Sequence, residues 1–230
     1  MTDPSMLPRL PNLSTLNSPA ILEITWERNL SAAVFYKLCC AYPDYRFEKT
    51  IDGKLVVSTP LGLDDGFLEG EIIGILSNWR KATKTGISLS ASPSFKLPDG
   101  SFHSASSAWI CNEKIAALTP EQRKRFAPIV PDFVIEVRSS SDRIARLKKK
   151  MSEVWIKNGV RLGWLIDPVE KKAYIYRKTV PWTPFPISTI PFPVKMFAWA
   201  LNWICGSSSF ELSPQTNNKL SPSAQYPLFG

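Results

Sequence analysis

The chain predicts an α/β fold, and three observations carry that expectation. Between Pro131 and Arg177 the pattern reads strand, helix, strand, strand. The first of those strands, around PDFVIEVR, holds one acid, Glu136, among apolar residues. The helix that follows is rich in lysine and arginine. Phosphodiester cleavage assisted by a metal requires this kind of pairing, with carboxylates to hold the cation and a positive side chain near the phosphate.

The elements follow in order. Residues 1–19 are rich in proline and asparagine and are expected to form an irregular arm. Trp26 to Ala41 reads as an amphipathic helix ended by Pro43. Arg46 to Lys49 and Leu55 to Thr59 read as two strands turned at Asp52-Gly53. A long helix starts near Asp64-Asp65, with Leu68, Ile72, Ile75, Leu76 and Trp79 at helical spacing and Gly86 as its stop. Ile87 to Ala91 and Phe102 to Cys111 read as extended. Thr119-Pro120-Glu121-Gln122 opens a short helix, since threonine caps and proline suits the first turn.

Ile129 to Arg138 is the clearest strand. Alternation puts Asp132, Val134, Glu136 and Arg138 on one face, and Phe133, Ile135 and Val137 on the core face. Ser139 to Asp142 is expected to cap the next helix. Ile144, Leu147, Met151, Val154 and Trp155 give that helix an apolar stripe, and Gly159 ends it. Arg143, Lys150 and Lys157 recur every seven residues along one flank of the stripe. Leu162 to Ile166 and Ala173 to Tyr176 supply the last strands, around a turn at Asp167-Pro168. The remainder, 179–230, carries eight of the 20 prolines and is expected to be an extended or disordered tail, with an apolar patch at Met196 to Ile204.

The net charge of +8 is focused. Residues 1–141 balance 15 basic against 15 acidic side chains, whereas 142–178 hold 11 basic and 4 acidic. A concentrated basic segment suits a phosphate backbone, and Arg143, Arg146, Lys149 and Lys157 are the candidate contacts. The four cysteines contain no C-x-x-C pair and there is one histidine, so structural zinc is not expected. Cys39 and Cys40 read as reduced core residues. Without a membrane-length apolar run or a leader pattern, the expected location is cytoplasmic.

Glu136 needs a partner, because a charge buried alone is costly. Lys150 and Arg138 are the candidates, the latter roughly 6–7 Å along the same strand face. A plain Glu-Lys or Glu-Arg pair without metal is the alternative reading. Asp132 lies roughly 13 Å from Glu136 along the strand, too far to share one ion. His103 reads as a lone surface imidazole in preference to a ligand for a softer metal or a base. No G-x-S-x-G elbow supports a Ser/His/Asp hydrolase.

The pieces RFEKTIDGKLVVSTP (46–60), FKLPDG (95–100), LTPEQRKRFAPIVPDFVIEVRSSSD (118–142), KKKMSEVWIKNGVRLGWLIDP (148–168) and AYIYR (173–177) resemble the Uma-two family of restriction endonucleases, in the PD-(D/E)XK nuclease superfamily. The resemblance covers residues 20–178, taken as the nuclease domain. It implies a restriction-endonuclease-like mixed β-sheet core flanked by helices. It also implies a magnesium (or manganese) site, double-stranded DNA as substrate and a homodimer. By position it assigns catalytic roles to Glu48, Glu136 and Lys150, with Glu136 as a metal ligand. The lysine that usually follows the strand acid is replaced by Arg138, and Lys150 on the next helix stands for it.

The chain departs from the family in two places: its usual C-terminal strands, with a Leu-Pro-Gly-Phe ending, are unrecognisable after Arg177, and one motif is missing. Where Arg-x-Pro-Asp is expected it has His103-Ser104-Ala105-Ser106, so Ser106 stands at the metal-binding position of the missing aspartate. A serine hydroxyl is a neutral, weak ligand for a hard cation. Three readings follow: a metal-dependent DNA endonuclease; an inactive nuclease-fold paralogue that binds DNA or a protein; and an interaction protein using the aromatic, proline-rich tail.

Overall fold

The computed structural model describes residues 21–25 and 30–178, and the backbone of 180–186. The expected arm at 1–19, most of the tail and the apolar patch at Met196 to Ile204 lie outside the described residues.

Two sheets share the strands. One runs β1 (Ile21–Ile24), β3 (Leu55–Ser58), β2 (Arg46–Lys49), β6 (Phe102–His103), β5 (Phe95–Lys96) in spatial order. The other runs β11 (Val180–Pro186), β10 (Lys172–Arg177), β9 (Leu162–Asp167), β8 (Phe133–Val137), β7 (Ser107–Cys111), β4 (Gly86–Leu89). β8 and β9 are parallel and the other pairs of this sheet antiparallel, so it is mixed. Because β8 and β9 are parallel, a crossover must join them. The basic helix α5 (Ile144–Lys149) and its continuation, a wide π-type segment at Lys150–Ile156, supply it.

Helices cover both faces of the mixed sheet. α2 (Leu63–Thr83) packs Ile72 and Leu76 against Phe133, Ile135, Val137, Trp164 and Ile166. The α5 side packs Leu147, Met151 and Trp155 against Val134, Leu165, Tyr174 and Tyr176. β8 is therefore buried on both faces, as a central parallel strand should be, and Glu136 lies inside with it. α1 (Ala32–Ala41) covers the smaller sheet with Phe35 and Leu38 against Phe47, Leu55, Val57 and Phe102.

Several sequence expectations change in detail. α1 starts at Ala32 under a Ser31 cap, not at Trp26, and residues 26–29 lie outside the described residues. α2 closes where expected, with Lys84 as its cap in the left-handed region (φ 54°), but Gly86 is not its stop. Gly86 instead lets β4 approach β7: a Cβ there would collide with the Ile110 carbonyl oxygen. Phe102 to Cys111 is two strands, not one, because the chain leaves the smaller sheet after His103 and enters the mixed sheet at Ser107. Asp142 does not cap a helix. Its carboxylate accepts from Ser139 N and Oγ, closing a turn, and the helix begins at Ile144. Beyond residue 178 the backbone of Val180–Pro186 pairs antiparallel with β10 as an edge strand. Edge positions are where a sheet tolerates proline.

Gly86→Ala is expected to lower stability by more than about 2 kcal/mol, since backbone must shift to admit the methyl. Gly74→Ala, mid-helix with open space around it, is expected to raise stability by about 0.5–1 kcal/mol. Urea unfolding of the two variants checks both signs.

Candidate active site

The site lies where the two sheets meet. Lys49 pairs with Phe102 in the β2–β6 ladder, which places Glu48 beside His103 and Ser104. Ser107 pairs with Ile135 in the antiparallel β7–β8 ladder, so the residue before it, Ser106, falls opposite Glu136. The segment 104–106 crosses from one sheet to the other and carries both neighbours.

Lys150 closes the gap from the third side. Its Nζ lies 2.7 Å from Glu48 Oε1, 2.9 Å from Glu136 Oε1 and 2.8 Å from the Ser104 carbonyl oxygen, to which it donates. Glu48 Oε1 also accepts from Ser104 N (3.1 Å), and Glu136 Oε1 accepts from the Trp155 indole N–H (2.7 Å). His103 Nδ1 is 3.3 Å from Glu48 Oε2, close enough for an ion pair although its angle makes no hydrogen bond. The three sequence-assigned residues Glu48, Glu136 and Lys150 thus converge.

Burial sets their proton affinities. At Glu48 burial favours the neutral acid, but Lys150 and His103 outweigh it and hold the carboxyl well below its usual range. Glu136 is pushed up, first by burial and then by the Glu48 charge, against the pull of Lys150. Lys150 would lose affinity by burial, yet Glu136 and Glu48 raise it. The ammonium form is therefore the favoured one.

The sequence-assigned partner Arg138 goes elsewhere. One guanidinium nitrogen, Nη1, donates to both oxygens of the Asp167 carboxylate, at 3.2 Å to Oδ1 and 3.0 Å to Oδ2, because β9 runs alongside and ends in that acid. Asp132 is a structural residue, paired with Lys114 at 2.8 Å and accepting from Cys111 N. His103 is not a surface imidazole; it is 3% exposed, in the wall behind Glu48.

The basic candidates separate. Arg143, Lys149 and Lys157 are exposed and Arg146 is half-buried, paired with Asp142. The seven-residue flank does not hold, because the π-type segment adds a residue to the turn. Lys157 N donates to Ser152 O and Val160 N to Trp155 O, each five residues back. Lys150 turns inward while Arg143 and Lys157 stay out. Glu48 and Lys150 form a wall between a cavity of about 70 Å³, which Ser106 and Glu136 also line, and a cleft of about 330 Å³ flanked by Arg146, Lys149 and Lys157.

A magnesium ion was expected between these carboxylates, and the donor set does not fit one. Hard divalent cations take several oxygens, carboxylates first. Among the described residues no three His, Cys, Asp or Glu side chains are grouped to hold a metal. One oxygen of each glutamate is committed to Lys150, and the Ser106 hydroxyl accepts from Val137 N at 3.1 Å.

Two contributors escaped the sequence reading. Trp155 looked like core stripe, though a buried indole N–H requires an acceptor and so signals a polar neighbour. The approach of His103 to Glu48 depends on the β2–β6 pairing, for which the sequence carries no signal.

Lys150→Ala is expected to cost about 3–5 kcal/mol at pH 7, since it strands two buried carboxylates. That loss should shrink as pH falls toward 4.5 and the acids protonate. In the parent, the depressed Glu48 contributes stability above its ordinary 4.5 that is lost on acidification below it. Glu136 works in the opposite sense: its raised value contributes stability below 4.5 that is lost as pH rises. Denaturant titrations between pH 3.5 and 8 resolve these signs, with Glu48→Gln and Glu136→Gln as references.

Comparison with known proteins agrees with this architecture. The profile of the Uma2 family, described as "Putative restriction endonuclease", matches residues 32–187, more than half of the chain. The crystal structure of a protein from Anabaena variabilis, described as a "putative nuclease belonging to DUF820", shares the fold with a TM-score of 0.55. Identity is 20%, over 67% of this chain and 84% of that one. No curated protein matches. Profile and fold agree: the chain belongs to the Uma2 family of restriction-endonuclease-like proteins.

Proposed function

We propose that the chain is a nuclease-fold protein that binds double-stranded DNA and whose phosphodiester-cleaving site is disarmed at Ser106. One observation carries this reading. Ser106 falls opposite Glu136, and its hydroxyl is engaged by Val137 N–H where the family's aspartate belongs. The carboxylates that remain, Glu48 and Glu136, are drawn together by Lys150.

DNA binding is supported by the cations along the crossover helix: Arg143, Lys149 and Lys157 are exposed, Arg146 is half-buried against Asp142, and Arg146, Lys149 and Lys157 flank the cleft beside the site. Arg143, Arg146, Lys149 and Lys157 lie on one helix, and the acid nearest Lys149, Glu153, pairs with it only at 3.7 Å. Exposed pairs at that separation contribute little, so the lysine stays available to a phosphate. A homodimer would offer one such surface to each strand. A cytoplasmic location follows from the substrate; separately, no described helix is long and apolar enough to cross a membrane.

A second reading is favoured by the convergence of Glu48, Glu136 and Lys150: an endonuclease dependent on magnesium or manganese, with these three as the working set. Plasmid nicking distinguishes the two. The proposal expects no cleavage by the parent with either metal and cleavage by Ser106→Asp. Cleavage by the parent that disappears in Glu136→Ala overturns it in favour of the second reading.

The binding half has its own measurement. Duplex affinity should fall with rising salt, and Lys149→Glu with Lys157→Glu should flatten the log–log slope by about 0.9 for each phosphate no longer neutralised. A parent that shows no affinity for duplex DNA at low salt removes the binding claim.

A further inference from the structure

A second cavity lies away from the acid–lysine site and outside the reading just given. It holds about 440 Å³, within the range of small-molecule pockets. Ile87, Leu89 and Ile110, from the β4–β7 edge of the mixed sheet, form one wall. Ile115 and Leu118, from α3 (Asn112–Ala116) and the turn after it, form another. Phe95 separates it from Trp155, with ring centroids 6.3 Å apart.

Two polar features give the cavity a direction. Arg123, Lys124 and Arg125 stand along its rim, and among the described residues no acidic side chain lines it. The Arg123 guanidinium donates to Ile115 O, and Arg125 lies 5.9 Å over the Tyr36 ring, while Lys124 is exposed. Ser94 also lines the cavity and is 7% exposed, and its hydroxyl has no hydrogen-bond partner among the described residues. Leaving a buried hydroxyl without a partner is costly, and a polar atom of a ligand in the cavity would supply one.

We propose that this cavity binds a small amphipathic anion, with an apolar body against the β4–β7 wall and a single carboxylate or phosphate head at Lys124 and Arg125. Ser94 donates to or accepts from a polar atom of the ligand. The apolar walls select for the body, and the rim cations select for the charge.

Decanoate, decyl phosphate and decanol serve as probes in calorimetric titrations of the full chain, with methyl spectra to locate the ligand. The two anions are expected to bind and to shift Ile87, Leu89, Ile110 and Ile115 methyl signals. The stronger of the two identifies the head group. Decanol should bind at least tenfold more weakly. Lys124→Glu, an exposed change that leaves the apolar walls intact, should weaken the anions about tenfold. Ser94→Ala should weaken them severalfold while the melting temperature stays within a few degrees of the parent. The proposal is overturned if neither anion binds up to its solubility limit, if decanol binds as tightly, or if Lys124→Glu leaves affinity unchanged.

Discussion

The contact on which the site depends is the ammonium of Lys150 between the buried Glu136 and the half-buried Glu48. Taking any of these charges out of water alone costs several kcal/mol, and each glutamate has the Lys150 ammonium within 3 Å to offset it. Glu48 comes from the smaller sheet, Glu136 from the mixed sheet, and Ser104, whose carbonyl completes the lysine's shell, from the crossing between them. One side chain thereby fixes the relative placement of two sheets and the start of the π-type segment. The wide turn is what makes this possible, since it lets Lys150 and Trp155 both reach the Glu136 carboxylate.

Legibility in the sequence followed the range of the forces involved. Strand β8 was readable because alternation and burial act locally, and its acid stood out against apolar neighbours. Glu136, Lys150 and Glu48 were assigned from family motif positions, and the fold brings them together. What failed was non-local. Arg138 was placed near Glu136 by strand spacing alone, but the adjacent parallel strand offered Asp167, a buried carboxylate that needs a cation of its own. His103 looked exposed because nothing in its own segment predicts that β2 will pair beside it. The π-type segment had no signature at all: the apolar stripe at helical spacing is satisfied by either helix, and only the hydrogen bonds reaching five residues back distinguish them.

The same arrangement accounts for the division of the basic residues. Eleven cations between 142 and 178 look like one patch in sequence, yet the fold uses several of them internally. Lys150 is buried in the ion cluster, and Lys148 lies 4.2 Å over the Tyr174 ring. Arg143, Lys149 and Lys157 remain at the surface on the element that carries Lys150 inward. A duplex drawn to that surface would present its phosphates to the side of the wall that Glu48 and Lys150 form.

The charge count of the cluster decides what a restored aspartate would do. Glu48 and Glu136 already oppose a single lysine, and Glu136 is pushed up, first by burial and then by the Glu48 charge. A third carboxylate at position 106 would face Glu136 across the ladder at a Cβ separation of about 4.5–5.5 Å. It would also replace the hydroxyl that now accepts from Val137 N–H, though a carboxylate oxygen can accept in its place. Without an added cation one of the facing acids must take up a proton, and the variant should be less stable than the parent at pH 7. A divalent ion would remove that penalty by binding the folded form alone. Melting Ser106→Asp in chelator and in magnesium should therefore show a metal-dependent rise that the parent lacks. Equal responses of the two proteins would mean that the distance across β7–β8 is too large for a shared ion, and that the lost motif alone does not explain the site.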